Sequence, residues 1–443
     1  MKRTELPSRI VDLALNLGAT DVAVKLIERK RTMIRFSNNE VTAFKSYREA
    51  LIDIFLMVGK HRAGSTISLS PLKKVESAVE RLIKVAKMSP PADVYAPLPR
   101  GPFRYDPSLL KPSKVSLAPR RLVDHVEAAI RGALETGAKR AAGSLTATKT
   151  QTLLATSGGA QGTQEKTSLE ISVRAFTSEV SSGHFVSIAQ DEESFRPEEA
   201  GRVAGEIAVS ALNPTPGEPG RYTALLGPLV FADLVSQVGV LSSAFMVDVG
   251  QSFLAGRIGS EVASEEFTLL DDPTLSGSYG ARAFDDEGVP TRRNTIVDRG
   301  VLETYLHNST TAKKFDTETT GNAGLIVPRP WNLVVEPGDK TFEELLSEID
   351  RGLYVTNDWY LRYQNYRTGD FSTIPRDGLF LIKGGEVEGA VRELRISDNM
   401  IRVFKNIRAL SKSRFWIKWW EVEVPTLTPY AVVEDLNFTK STM

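Results

Sequence analysis

The chain has only four imidazoles, His61, His125, His184 and His307. A hydrolytic zinc site built on one helix needs two histidines a turn apart, so that both reach one ion, with a glutamate beside them as base. Here no two histidines lie within a helical turn, and none is followed by Glu. Cysteine is absent altogether, which removes disulfides, thiolate metal sites, iron–sulfur clusters and cysteine nucleophiles. No G-x-S-x-G elbow occurs, although a Ser-His-Asp set assembled from remote positions stays open. Gly158-Gly159 with Gly162, and Gly384-Gly385, lack the spacing of a dinucleotide or P-loop cradle and read as hairpin turns. Asp271-Asp272 and Asp285-Asp286-Glu287-Gly288 do not continue into a calcium-loop pattern, and turn or capping roles suit them better than a hard cation. No catalytic residue, metal ligand or cofactor is therefore assigned.

Lys plus Arg and Asp plus Glu both number 55, so no net field draws the chain to nucleic acid or to an anionic membrane. Neither a signal-peptide core between Met1 and Pro7 nor an apolar run of membrane-spanning length occurs, and the expected location is the cytoplasm.

The elements that must position any site read as an α+β fold. Residues 1–88 form a first unit. Ile10, Val11, Leu13, Ala14 and Leu17 recur at helical spacing, followed by about four strands (Asp21 to Glu28, Thr32 to Phe36, Val41 to Ser46, Ala50 to Val58) and a helix carrying Val75, Val79, Leu82, Ile83 and Ala86. Residues 89–118 are a proline-dense linker, too broken for helix or inner strand. Residues 119–218 repeat helix, strands, helix, so the N-terminal half reads as a duplicated helix–antiparallel strands–helix unit. Residues 219–443 read as a mostly β C-terminal domain, with strands that include Ile401 to Ile407 and Phe415 to Val424. One helix there starts on the capping box Thr341-x-x-Glu344 and is expected to stop at Gly352.

Phe415-Trp416-Ile417-Lys418-Trp419-Trp420 holds three of the five tryptophans. A strand there puts Trp416 and Trp420 on one face and Trp419 on the other, so both faces need cover. Either the chain's own core supplies it, or Trp416, Trp419 and Trp420 meet a second chain, since tryptophan is enriched at interfaces.

Several segments, in order, resemble the TldD/PmbA family, also written TldD/TldE and sometimes described as modulators of DNA gyrase. They are Asp271-Asp272-Pro273, Asp285 to Thr291, Gly300-Val301-Leu302, Thr320-Gly321-Asn322-Ala323, Thr368-Gly369-Asp370-Phe371-Ser372 and Gly384-Gly385-Glu386. The resemblance implies a two-domain α+β subunit, and for the active TldD type a zinc metallopeptidase acting on extended peptides. That type carries an HExxxH helix after the segment matching Ala224-Leu225-Leu226-Gly227-Pro228, and a C-terminal cysteine. The corresponding window, Phe231 to Met246, holds neither His nor Glu, so the resemblance points to the TldE/PmbA type, a non-catalytic subunit. Zinc is then expected only in a TldD-type partner, joined as a heterodimer, with a homodimer in its absence and peptides as substrates of the complex. The window itself is apolar, and Phe231, Leu234, Val235, Val238, Leu241 and Phe245 mark one helical stripe. A stand-alone peptidase or hydrolase with an unrecognised site, and a peptide-binding adaptor, are the alternatives.

Overall fold

A computed structural model describes residues 3–69, 72–111 and 115–441, without the side chains of residues 72 and 73. The N-terminal half runs α1 (Leu6–Asn16), β1 (Asp21–Ser37), β2 (Glu40–Val58), β3 (His61–Ser68), α2 (Leu72–Met88), α3 (Pro107–Leu110), α4 (Pro119–Glu135), β4 (Arg140–Thr156), β5 (Gln161–Phe176), β6 (Ser182–Ala189) and α5 (Pro197–Ser210). Helix, three strands, helix thus occurs twice. The two units join along their first strands, with Arg29 opposite Thr150, into one antiparallel sheet of order β3-β2-β1-β4-β5-β6.

The first unit has three strands, not four. No turn residue separates Glu28 from Thr32, so Arg29-Lys30-Arg31 carries β1 straight through, and β2 is likewise unbroken at Tyr47. Alternation decides the faces. Val22, Val24 and Leu26 of β1 lie in a core with Ile10, Val11, Val75 and Val79 of α1 and α2. Leu145 and Ala147 of β4 do the same with Leu122, Val126 and Ala129 of α4. All four long helices cover this one face. The other face is polar over much of its area, with Ala23, Phe55 and Met57 buried against Leu98 at one end and Leu154 against Leu109 and Phe284.

Helices α4 and α5 approach closely because glycines line their contact. A Cβ on Gly201 would stand 1.9 Å from the Ala129 carbonyl oxygen, and one on Gly132 would stand 2.3 Å from that of Glu198. Residues 107–110 of the proline-rich segment form α3, and Leu98 and Leu109 are buried, so part of it wraps the surface; residues 112–114 lie outside the description.

Beyond Ser210 come β7 (Thr215–Pro216), β8 (Gly220–Leu226), α6 (Pro228–Leu241) and α7 (Ala244–Asp248). The rest is mainly strand, in a second, fourteen-stranded sheet separate from the first. Its long strand Thr426–Lys440 pairs antiparallel with β8, Leu394–Asn399 and Ile407–Ile417, and parallel with Leu333–Val335. The architecture is α+β with a mostly β C-terminal part. The capping box at Thr341 and Glu344 forms and opens the helix Phe342–Ser347, but Gly352 belongs to the strand Arg351–Val355 and does not end that helix.

Two expected strands are corrected. Met400–Lys405 is helix, because the Asn399 side chain caps it at the Arg402 N–H. The strand expected over Phe415 to Val424 ends at Ile417, after which the Trp419 N–H bonds to the Val422 carbonyl and turns the chain. Trp416 and Trp420 consequently do not share a strand face.

Candidate functional site

Helix α6 starts where Gly227 and Pro228 end β8, and it is buried nearly all round. Its apolar stripe, Phe231, Leu234, Val235, Val238 and Leu241, enters the C-terminal core. Leu229 and Ala232 on its flank enter the core beneath α4 and α5. The stripe expected to reach Phe245 is interrupted, since the chain turns at Ser242 and Ser243 before α7. Asp233 is the one acid on α6. It is buried with an oxygen lacking any hydrogen bond, and so is Asp358. Burial raises both carboxyls, reinforced at Asp233 by Glu421 and at Asp358 by Asp233 and Glu421.

The four histidines lie apart, on β3, α4, β6 and the turn before Ser309–Lys314. Among the described residues no three His, Asp or Glu side chains converge as metal ligands. The remote Ser-His arrangement does exist. His184 Nε2 stands 2.8 Å from Ser172 Oγ, and its Nδ1 is 3.0 Å from the Asn357 amide. That amide also donates to Asp377 at 3.1 Å, while the Asn357 carbonyl accepts from the Asp358 N–H at 2.8 Å, so the Asn357 nitrogen must face His184. Nδ1 is then an acceptor and Nε2 carries the proton, which it donates to Ser172. A ring wired this way cannot take the serine proton. Burial pushes His184 down to about 4, consistent with a neutral strut.

The strut belongs to the junction between the halves. Asp377 accepts from Arg174 Nε at 3.0 Å, Ser182 Oγ at 2.6 Å and Trp359 Nε1 at 3.0 Å. Burial alone would raise Asp377, but the Arg174 charge and the hydrogen bonds from Ser182 and Arg174 together outweigh it and hold the carboxyl below its usual range. A second tie lies nearer the sheet centre. Lys25 Nζ is 2.7 Å from Asp286 and 3.3 Å from Asp53, and Arg282 pairs with the same Asp286. The acidic sets therefore do structural work. Asp271 accepts from the Trp331 and Asn332 N–H groups at 2.8 Å each, and Asp285 from those of Glu287 and Val289 at 2.9 Å each.

Between these ties the polar sheet face and the C-terminal half leave a cleft of about 620 Å³. Its floor alternates along three strands: Lys25, Arg29 and Arg31 of β1, Thr148, Thr150 and Thr152 of β4, and Gln164, Lys166, Ser168 and Glu170 of β5. Its wall brings Tyr279, Arg282, Arg329, Trp331, Lys418 and Glu423. The wall rings hold cations. Arg282 and Arg329 lie 4.0 and 4.8 Å from the Trp331 ring centre, and Lys166 and Lys418 lie 5.2 and 5.6 Å from that of Tyr279. Lys166 donates to the Tyr279 carbonyl, and burial together with Arg282 pushes its ammonium down to about 7. None of these cleft residues is evident as a site in the sequence. Alternation of Lys25, Arg29 and Arg31 was the available signal, but the wall lies more than a hundred residues away.

The three tryptophans fare differently. Trp419 is buried against His184, at 4.8 Å between ring centres, and is part of this chain's own core. Trp416 is half-buried. Trp420 is 52% exposed and rests on Trp359 and Tyr360, at 5.1 and 5.6 Å, with Tyr360 held at a positive φ of 60°.

A duplicated helix–sheet half feeding a β-rich half, with a helix packed behind the first long strand of the latter, defines the class of protein. The PmbA/TldA metallopeptidase C-terminal domain matches residues 219–440, and the central domain of the same metallopeptidases matches residues 110–212. The chain belongs to the PmbA/TldD metallopeptidase family. A metalloprotease of Methanothermobacter thermautotrophicus is 32% identical over 218 residues, 47% of each chain. This chain spans about half the length of the curated relatives it matches. Solved structures share the fold over almost the full length. A candidate DNA-gyrase modulator of Thermotoga maritima superposes with a TM-score of 0.85 at 23% identity, covering 99% of this chain and 100% of that one. TldE of Thermococcus kodakarensis superposes with a TM-score of 0.84 at 22% identity, covering 98% and 99%. No described helix is long and apolar enough to cross a membrane.

Proposed function

We propose that this chain is a TldE/PmbA-type, non-catalytic subunit that works with a TldD-type metallopeptidase subunit in processing peptides. The observation that carries the reading is α6. In the TldD type the resemblance puts the zinc-binding HExxxH sequence on this helix, whereas here the helix is filled by Phe231, Leu234, Val235, Val238 and Leu241 and buried on almost every side. Burying each such side chain is worth roughly 1.5–3 kcal/mol, which fixes the helix without an ion. The reading as an independent serine hydrolase loses its best candidate, because the His184 tautomer is set by Asn357.

The contact with a partner is assigned to the exposed Trp420–Tyr360 ledge, and the compartment to the cytoplasm. The test is co-expression with a TldD-type subunit. Co-purification as a complex, with zinc and chelator-sensitive peptidase activity following the partner alone, is the expected result. Stoichiometric zinc and a chelator-sensitive activity in this chain by itself would overturn the proposal.

A further inference from the structure

The cleft concentrates charge that the rest of the chain balances. Seven cations line it, Lys25, Arg29, Arg31, Lys166, Arg282, Arg329 and Lys418, against two anions, Glu170 and Glu423. Several are already neutralised. Lys25 and Arg282 share Asp286, Lys418 lies 3.1 Å from Glu170, and Arg29 lies 3.3 Å from Glu49. Among the described residues three have no carboxylate within ion-pair distance: Lys166 bonds to a carbonyl, Arg31 reaches only the Tyr47 hydroxyl at 3.3 Å and keeps a buried Nε without a partner, and Arg329 stacks on Trp331. Grouping uncompensated cations is unfavourable for the empty protein, so an anion that enters relieves repulsion as well as gaining contacts.

We infer that this cleft binds an acidic peptide segment in extended form, its carboxylates received by Arg31, Lys166 and Arg329. The floor sets the form. Hydroxyls of Thr148, Thr150 and Thr152 and the charged groups beside them repeat every second residue, roughly 6.6 Å apart, which is the side-chain repeat on one face of an extended peptide. The wall sets the chemistry. Arg282 and Arg329 both lie against the Trp331 ring, so the ring orients guanidinium forks for carboxylates and offers no free platform for a nucleobase. The inference stands on the cleft alone and does not need the subunit reading.

The test is fluorescence anisotropy of the full chain with fluorescein-labelled penta-glutamate, penta-glutamine and penta-thymidylate at low ionic strength. Penta-glutamate is expected to bind at least tenfold tighter than either other probe. Arg329→Gln and Lys166→Gln should each weaken it about tenfold, while Lys383→Gln on the far strand Leu379–Lys383 should leave it unchanged. Arg329 is exposed and has no ion pair among the described residues, so its variant is expected to keep the fold and decides the matter should Lys166→Gln melt early. Equal binding of penta-glutamine, tighter binding of penta-thymidylate, displacement by equimolar inorganic phosphate, or an Arg329→Gln chain of wild-type melting temperature and wild-type affinity would each overturn the inference.

Discussion

Lys25 and Asp286, 261 positions apart in sequence, meet at 2.7 Å where the centre of the N-terminal sheet touches the C-terminal half. Both are buried. Burial alone would raise the Asp286 carboxyl, yet Arg282 and Lys25 beside it outweigh that and hold it at about 2. Lys25→Met removes one of the cations that hold Asp286 and takes the ion pair from Asp53 as well. A loss of about 3 kcal/mol or more in urea unfolding is expected, since breaking a buried pair strands a charge. The lowered carboxyl contributes stability that is full above the unfolded value near 3.8 and lost as pH falls through about 2. The variant should accordingly differ from wild type more at pH 7 than at pH 2, and an equal gap at both would refute the pairing.

The close crossing of α4 and α5 gives a second expectation. Gly201→Val forces a side chain into the Ala129 carbonyl, 1.9 Å from where its Cβ would sit, so the helices must part. Overpacking of this kind costs about 1–3 kcal/mol. Thermal melting should drop by several degrees. A variant that melts with the wild type would mean that the two helices can slide at no cost.

Histidine protonation supplies a third. Burial holds both His184 and His307 down at about 4. The unfolded imidazole titrates near 6.5, so between those values the unfolded chain binds more protons than the native one. Each ring then removes up to about 1.4 kcal/mol of stability per pH unit as pH falls from 6.5 to 4. Proton NMR should show both rings neutral at pH 5.5. A His184 midpoint above 6 would show that Asn357 does not fix its tautomer, and would reopen Ser172 as a nucleophile.

Element order was legible in the sequence, because amphipathic periods at Ile10–Leu17, Val75–Ala86 and Leu122–Leu134 and the duplicated arrangement of strands needed only local pattern. Strand ends were less so. Charged Arg29-Lys30-Arg31 resembles a break, yet it continues β1 because a polar sheet face tolerates it. The Met400–Lys405 helix was hidden by apolar residues too few to show a period, with Asn399 as its one local signal. The cleft and the junction ties were not legible at all. Lys25 with Asp286, and Arg174 with Asp377, are pairings set by how two sheets dock, which no local pattern encodes.

Asp233 gives a fourth expectation. Burial raises its carboxyl, with Glu421 adding to the effect, and Asp358 beside it is raised as well. The native state keeps a proton here that the unfolded chain has already lost, so this group's contribution to stability falls as pH rises above about 4. Asp233→Asn removes that dependence. The variant should gain on wild type between pH 5 and pH 8, by up to about 1.4 kcal/mol per pH unit. A constant difference across that range would mean that Asp233 is ionised in the fold, and that a counter-charge reaches it.

Trp420 decides the partner surface. Its neighbour Trp419 is locked between His184 and Trp359, whereas Trp420 leaves half its surface to solvent on top of Trp359 and Tyr360. An exposed tryptophan gives up little when replaced by a charge, so Trp420→Glu should fold and melt close to the wild type. In complex with a TldD-type subunit the same change would bury an unpaired carboxylate, an expensive event. Size-exclusion chromatography of the mixed subunits should then show the complex lost while each subunit elutes as a folded species. Trp419→Glu is the contrasting variant and should unfold the junction in the isolated chain. A Trp420→Glu chain that still forms the complex with undiminished affinity would place the contact elsewhere and leave the aromatic ledge as surface.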